Sequence, residues 1–199
     1  MSDIRMPKQK SAIEKRNKII EKGFELMCEN GYYNTSTPDI AKVSGVSTGI
    51  IYQYFNDKKD IFMEGVKNYA NSIMFPMLAV LENENFHIDN FESLLNKMID
   101  NFIDSHKFSK KAHEELIAMA HLDDDVAEIF KKSEFETTEK IVELLEVNNI
   151  ILENPLEKVH IVYSIIDNFC HEIVYHKHKK INYDAMKSEV IKIIENILK

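Results

Sequence analysis

Residues 31–58, GYYNTSTPDIAKVSGVSTGIIYQYFNDK, decide the fold. Thr37 is placed to cap a helix, Pro38 suits its first position, and Asp39 favours the positive end of its dipole. That helix is short, with Ile40, Ala41 and Val43 expected to face inward. Ser44-Gly45-Val46 reads as a tight turn, and Ser47 as the cap of a third helix from Thr48 to about Phe55. Asn56-Asp57 breaks it, and Lys58 opens a fourth. A short helix, a turn containing glycine and a second short helix is the spacing of a helix-turn-helix. Ala41 is small where the two helices would cross, and Val46 would fill the angle between them.

Outward from this stretch the chain stays helical. Residues 1–11 form a basic arm without apolar period; a first helix follows from about Ala12 to Asn30, with Ile13, Ile20, Phe24 and Met27 at helical spacing. Gly23 inside it costs about 1 kcal/mol relative to alanine, which points to a close helix crossing. Asn30-Gly31 ends it. The fourth helix extends to about Glu82, with an interruption or kink expected at Pro76. Further helices are expected over 89–105, 109–122 and from the acidic run Asp123-Asp124-Asp125 to about Val147. Helix-start chemistry accounts for that run better than metal binding. Asn154-Pro155-Leu156-Glu157 starts the next, to about Lys177, and the last spans Tyr183 to Leu198. The fold class is all-α, about nine helices, with a head over 1–60 and a body over 61–199.

Composition agrees. Gly (5) and Pro (4) are too scarce for a sandwich or barrel. No apolar run reaches the roughly 18 residues of a membrane span, and the first residues lack a signal peptide's apolar stretch. Cys28 and Cys170 form no CxxC pair, so a reduced, cytoplasmic protein is expected. The net charge of −8 is unevenly spread. Residues 1–60 hold ten Lys/Arg against eight Asp/Glu, while the remainder holds fifteen against twenty-five. A basic head on an acidic body binds polyanions at one end; a lysine-rich solvated helix would produce the same count.

The stretch from Ile19 to Phe62 resembles the TetR (tetracycline-repressor-like) family. Gly31-Tyr32, Thr35-Ser36, Asp39-Ile40-Ala41, Gly45-Val46-Ser47 with Gly49, Ile51-Tyr52, Tyr54-Phe55 and Lys58 carry the resemblance, over about a quarter of the chain. It implies a three-helix DNA-binding head whose third helix enters the major groove. It also implies a helical effector-binding body and a homodimer paired through the last two long helices. Two heads then meet a palindromic double-stranded operator at half-sites about one turn apart. Tyr52, Tyr54 and Lys58 match phosphate-contacting positions, and Ser36 and Thr37 stand where helix two's start can hold another phosphate. Thr48, Gly49 and Gln53 match base-facing positions: Gln53 can pair with adenine, Thr48 can meet a thymine methyl, and Gly49 lets backbone approach closely. Core packing remains the alternative for the two tyrosines.

Two positions depart from the family's habit. Pro38 and Thr48 stand where many relatives carry a basic residue, leaving Thr48 through Phe55 uncharged. Affinity is then expected to lean on Lys58, Lys59, Lys42 and the arm (Arg5, Lys8, Lys10, Arg16), so that removing residues 1–10 flattens the salt dependence. An arm with no role is the alternative.

The body is rich in Met, aromatics and His, including Met74, Phe75 and Met77. Phe102, His106, Met119, Phe130, Tyr163 and Phe169 are the candidate lining of a pocket for an unknown small, apolar or aromatic effector. Such an effector would act by shifting the fourth helix and respacing the heads. His171, His176 and His178 with Glu172 suggest a metal, but their spacing is poor, and cationic decoration of a helix end is the preferred role. Neither a metal nor a cofactor is expected. No nucleophile elbow, P-loop, GxGxxG or HExxH is found, so an enzyme is not expected. An activator and a helical adaptor without DNA binding remain as alternatives to a repressor.

Overall fold

The computed structural model describes residues 7–83, 91–107 and 110–198, less the side chains of 73–77, 82–83 and 110–111. Arg5 in the arm and the side chains of Met74, Phe75 and Met77 thus lie outside the described residues. Among the described residues there are nine helices and no strand: α1 Lys10–Asn30, α2 Thr37–Ser44, α3 Thr48–Tyr54, α4 Lys58–Asn83, α5 Phe91–His106, α6 Lys110–Leu122, α7 Asp124–Val147, α8 Pro155–Tyr175 and α9 Tyr183–Leu198. None is long and apolar enough to cross a membrane. The backbone stays helical across Pro76, so of the expected kink or break the break does not occur. A proline's fixed φ is itself helical, so the ring removes a hydrogen bond without forbidding the conformation.

The chain forms two compact units, Met1–Tyr69 with Lys111–Ile129, and Ala70–Lys110 with Phe130–Lys199. In the first, Ile19, Ile20 and Met27 of α1, Ile40 of α2, Ile51 and Phe55 around α3, and Ile61 and Phe62 of α4 are buried together with Leu116 and Met119 of α6. Burying each such side chain contributes about 1.5–3 kcal/mol. The inward face of α1 is rotated from the expected stripe: Ile13 is exposed, and Ile19 and Cys28 join the core instead. On α2 the inward set is Ile40, Ala41 and Ser44, and Val43 faces out. Ile40, Ala41 and Ser44 centre the buried face, and Val43 stands at its far edge.

Two glycines set how closely these helices cross. A Cβ on Gly23 would lie 2.9 Å from a methyl of Ile40 and 2.9 Å from one of Ile61. A Cβ on Gly65 would lie 2.6 Å from Phe24 Cβ and closer still to its ring. A glycine inside a helix pattern marks both crossings, Gly23 in the first helix and Gly65 in the fourth.

The second unit packs α5, α8 and α9, with most of α7. Leu94, Leu95, Ile99 and Phe102 of α5 and Val159, Ile166, Phe169 and Cys170 of α8 are buried. Polar ties fix the register: Lys187 Nζ reaches Asp100 Oδ1 at 2.7 Å, and Tyr183 OH donates to Glu172 Oε1 at 3.0 Å. Asn154 precedes α8 as foreseen, with Pro155 at the first turn, but it is left-handed (φ 51°) and its side chain caps nothing. Burial pushes the Cys28 thiol up to about 12 and raises that of Cys170.

Candidate nucleic-acid interface

The interface is built on the α2–turn–α3 unit. Ser36, not Thr37, caps α2. Its side chain accepts from the Asp39 N–H, and Asp39 Oδ2 accepts from the Ser36 N–H at 3.0 Å and from its hydroxyl. This reciprocal box holds the Asp39 carboxyl below its usual pKa, chiefly through the Ser36 hydroxyl. Thr37 is the first helical residue, and Pro38 stands second. The turn closes on Gly45, left-handed at φ 70° and ψ 34°, whose N–H donates to Lys42 O while that of Val46 donates to Ala41 O at 3.0 Å. That conformation favours glycine, which explains its place in the turn.

Beyond the turn, α3 divides into two faces. Ile51 is fully buried, and Phe55 just past the helix is 1% exposed. Gly49, Tyr52 and Gln53 are exposed, with Thr48 and Tyr54 half-buried. Tyr52, at 51% exposure, does not pack in the core. Six of the eight expected DNA residues (Ser36, Thr37, Thr48, Gly49, Tyr52 and Gln53) therefore stand around one helix start and one accessible face.

The cations are distributed differently from the expectation. Lys58 Nζ donates to Tyr32 O at 2.7 Å and to Thr35 O at 2.8 Å, and lies 4.5 Å from the Tyr32 ring centroid. It fastens the α1–α2 loop. Lys59 pairs with Asp123 at 2.8 Å and Asp125 at 2.7 Å. These carboxylates, Asp123 first, hold its ammonium pKa well above the usual lysine value and are themselves committed. Asp123 also caps α7, accepting from Asp125 N–H at 3.0 Å, so the acidic run does start a helix. Arg16 lies over the Phe55 ring at 5.0 Å, with Glu64 at 3.5 Å. Glu115 of α6 accepts from Tyr32 N–H at 2.6 Å, a support for the loop that no local pattern announces. Among the described residues, Lys8, Lys10, Lys15, Lys18, Lys42 and Lys67 are the exposed lysines of this unit, and Lys18 Nζ lies 3.8 Å from where a Gly45 Cβ would stand.

The six effector candidates do not converge on one place. Met119 is buried in the first unit. In the second, Phe102 is fully buried, with its ring 4.4 Å from that of His106 and 6.3 Å from that of Tyr163. Tyr163 lines an apolar cavity of about 40 Å³ with Leu95, Met98, Leu145 and Val159. Phe169 instead borders a groove between α8 and α9, of about 420 Å³, with Ile161, Ile165 and Met186. Phe130 is half-buried on α7. Burial raises the Tyr163 phenol pKa, so its hydroxyl stays protonated. Of the C-terminal histidines, His178 pairs with Glu172 at 3.5 Å, tying the end of α8. His171 turns elsewhere: with His106 and Asp167 it forms a cluster whose ligand-capable atoms lie within 4.8 Å of one another. Spacing along α8 alone could not reveal it, because His106 comes from α5. Burial lowers the His171 pKa, favouring neutral imidazole.

Residues 19–64 match the family described as bacterial regulatory proteins, tetR family. The HTH-type transcriptional regulator HbdR of Aromatoleum sp. (strain CIB) is 49% identical over 59 residues, 30% of this chain and 26% of that protein. The biofilm operon icaADBC HTH-type negative transcriptional regulator IcaR of Staphylococcus epidermidis is 29% identical over 84 residues, 42% of this chain and 45% of that protein. The chain thus spans between a quarter and a half of the length of these relatives. The fold as a whole is shared with a crystal structure described as a putative TetR-family transcriptional regulator from Mesorhizobium loti, at 18% identity and a TM-score of 0.72, covering 96% of this chain and 98% of that one. The match to bacterial regulatory proteins of the tetR family is thus carried by residues 19–64, and the chain as a whole shares its fold with the Mesorhizobium loti structure.

Proposed function

We propose that the chain is a DNA-binding transcriptional regulator, a repressor that grips a palindromic operator as a homodimer and is released by a small effector. The observation that carries this reading is α3: Ile51 and Phe55 anchor it, and Thr48, Gly49, Tyr52 and Gln53 face outward from it. Gln53 reads a base edge, adenine by bidentate pairing, and Thr48 meets a thymine methyl. Tyr52, Tyr54, Ser36 and Thr37 hold phosphates. Lys58 gives two of its three ammonium protons to carbonyls and the third to phosphate. With α3 uncharged and Lys59 and Arg16 engaged, long-range attraction comes from Lys18, Lys42 and the arm. A degraded adaptor would have no reason to keep this face.

The head over 1–60 and the body over 61–199 divide the work. Ile161 and Ile193, 50% and 48% exposed on α8 and α9, suit pairing with a second copy of the chain. The repressor reading draws on IcaR, whose name states negative regulation. The cavity beside Tyr163 is far below the roughly 300 Å³ of a ligand pocket. An apolar effector must therefore enlarge it, and α4, which has residues in both units, carries the change onward.

The test is an electrophoretic mobility shift with duplex DNA from upstream of the chain's own coding region, against unrelated competitor. Retardation that survives excess competitor supports the reading. Equal competition by any duplex, or no shift at roughly 1 µM protein in low salt, defeats it, since specific operators bind 10³-fold or more tighter than random DNA, to order of magnitude.

A further inference from the structure

We propose that the body holds a divalent transition-metal ion of the zinc class, bound by His106, Asp167 and His171, where α5 packs on α8. This goes beyond the DNA-binding reading and stands or falls independently of it.

The geometry is that of a ligand set already oriented. His106 is 2% exposed, and its Nδ1 lies 2.8 Å from Phe102 O. A carbonyl only accepts, so Nδ1 carries the proton. In the neutral ring Nε2 then holds the lone pair, and it faces Asp167 Oδ1 at 3.7 Å. A histidine that donates one ring N–H to a backbone carbonyl and turns the other nitrogen to a shared centre is how protein metal sites fix their imidazoles. The backbone behind it is fixed too, because Tyr175 OH donates to His106 O. Asp167 and His171 lie at i,i+4 on α8, one face of the helix, and His171 Nδ1 stands 3.6 Å from Asp167 Oδ2.

Both His–Asp separations, which run to different oxygens of the one carboxylate, are too long for hydrogen bonds, and one donor atom from each of the three residues lies within 4.8 Å of the others. Two donors about 2.05 Å from a tetrahedral zinc are about 3.4 Å apart. Small rotations about side-chain bonds therefore close the set. Two imidazoles and one carboxylate select first-row transition ions over calcium or magnesium. Three protein ligands leave a coordination position for water or an oxygen donor. Sites of this kind form where facing helices of a bundle present side chains to each other.

The test uses the full chain, stripped with chelator and titrated with Co²⁺ and Zn²⁺. One Co²⁺ per chain is expected, with visible ligand-field absorption that Zn²⁺ abolishes. His171→Ala and Asp167→Asn should each lower affinity by about 100-fold, whereas the double change His176→Ala with His178→Ala should leave it intact. Absence of binding at roughly 100 µM free Co²⁺ overturns the proposal. So does unchanged affinity in His171→Ala, or loss in the His176/His178 double variant. Because His106 is buried, its role is read in the unmodified protein. Zn²⁺ should shift the ring NMR signals of both His106 and His171, and signals that stay in place refute the site.

Discussion

Replacing Lys58 by methionine separates the two duties assigned to it. The stem is kept, while two charge-assisted hydrogen bonds, 2.7 Å to Tyr32 O and 2.8 Å to Thr35 O, and the ammonium lying 4.5 Å from the Tyr32 ring centroid are removed. Each such hydrogen bond is worth about 1.5–3 kcal/mol when well shielded, and the ring interaction about 0.5–1 kcal/mol. Lys58 is half-exposed, so solvent screening takes a large share. A net loss of about 2 kcal/mol follows, a reduction of about 30-fold in the folding constant. Urea denaturation of the full chain followed by circular dichroism measures it. The second duty is read by fluorescence anisotropy on an operator duplex across salt concentrations. Removing one phosphate-binding ammonium from each of two heads lowers the slope of log K against log salt by about 1.8. A stability change under about 0.5 kcal/mol refutes the fastening role, since ordinary surface substitutions already reach that size. An unchanged slope in the folded variant refutes the role on phosphate.

Other outcomes follow from the same geometry. Gly65→Ala should destabilise by about 2 kcal/mol, because the new Cβ meets Phe24 at its rigid base. Gly23→Ala should also destabilise, by about 1–2 kcal/mol net of its gain in helix propensity, since its Cβ meets the Cγ2 methyls of Ile40 and Ile61, both fully buried and stiff at their branched Cβ; an unchanged melting curve for either variant would contradict the packing. Lys59→Met should leave the salt slope unchanged, its charge being held by Asp123 and Asp125, whereas Lys18→Met or removal of residues 1–8 should flatten it. Asp39 and Asp123 have folded pKa values below those of the unfolded chain. Their stabilisation is complete above the unfolded carboxylate range and is lost as the pH falls through the folded values, below about pH 4. Asp39→Asn should therefore flatten the stability–pH profile there, and an unaltered acid limb would contradict the capping box.

What could be read ahead follows the range of the interactions. The helices and the turn at Gly45 depend on residues a few positions apart, so caps, periodicity and glycine were enough to place them. The cap moved one residue, from Thr37 to Ser36, because both hydroxyls precede Asp39 and only the reciprocal bond with Asp39 decides between them. The face of α1 was displaced because Ile13 and Ile19 both suit a helical stripe, and the partner helices choose. Long-range interactions left no local mark. Glu115 under the Tyr32 N–H is 83 residues away, and the pairing of Lys59 with Asp123 and Asp125 spans a similar distance. The charge count of the first 60 residues was correct, yet it could not distinguish cations facing solvent from cations spent on scaffold. The His106–Asp167–His171 cluster escaped for the same reason: one of its three residues belongs to another helix.

The central claim is that the exposed face of α3 reads DNA. Selection of duplexes from a random library by the full chain, repeated with Gln53→Ala, tests it most directly. The predicted result is enrichment of a palindrome with half-sites about one helical turn apart. In the variant, preference should relax at one symmetry-related position per half-site, a loss of about 1–3 kcal/mol of discrimination there. No enriched palindrome, or an identical preference in Gln53→Ala, would contradict it.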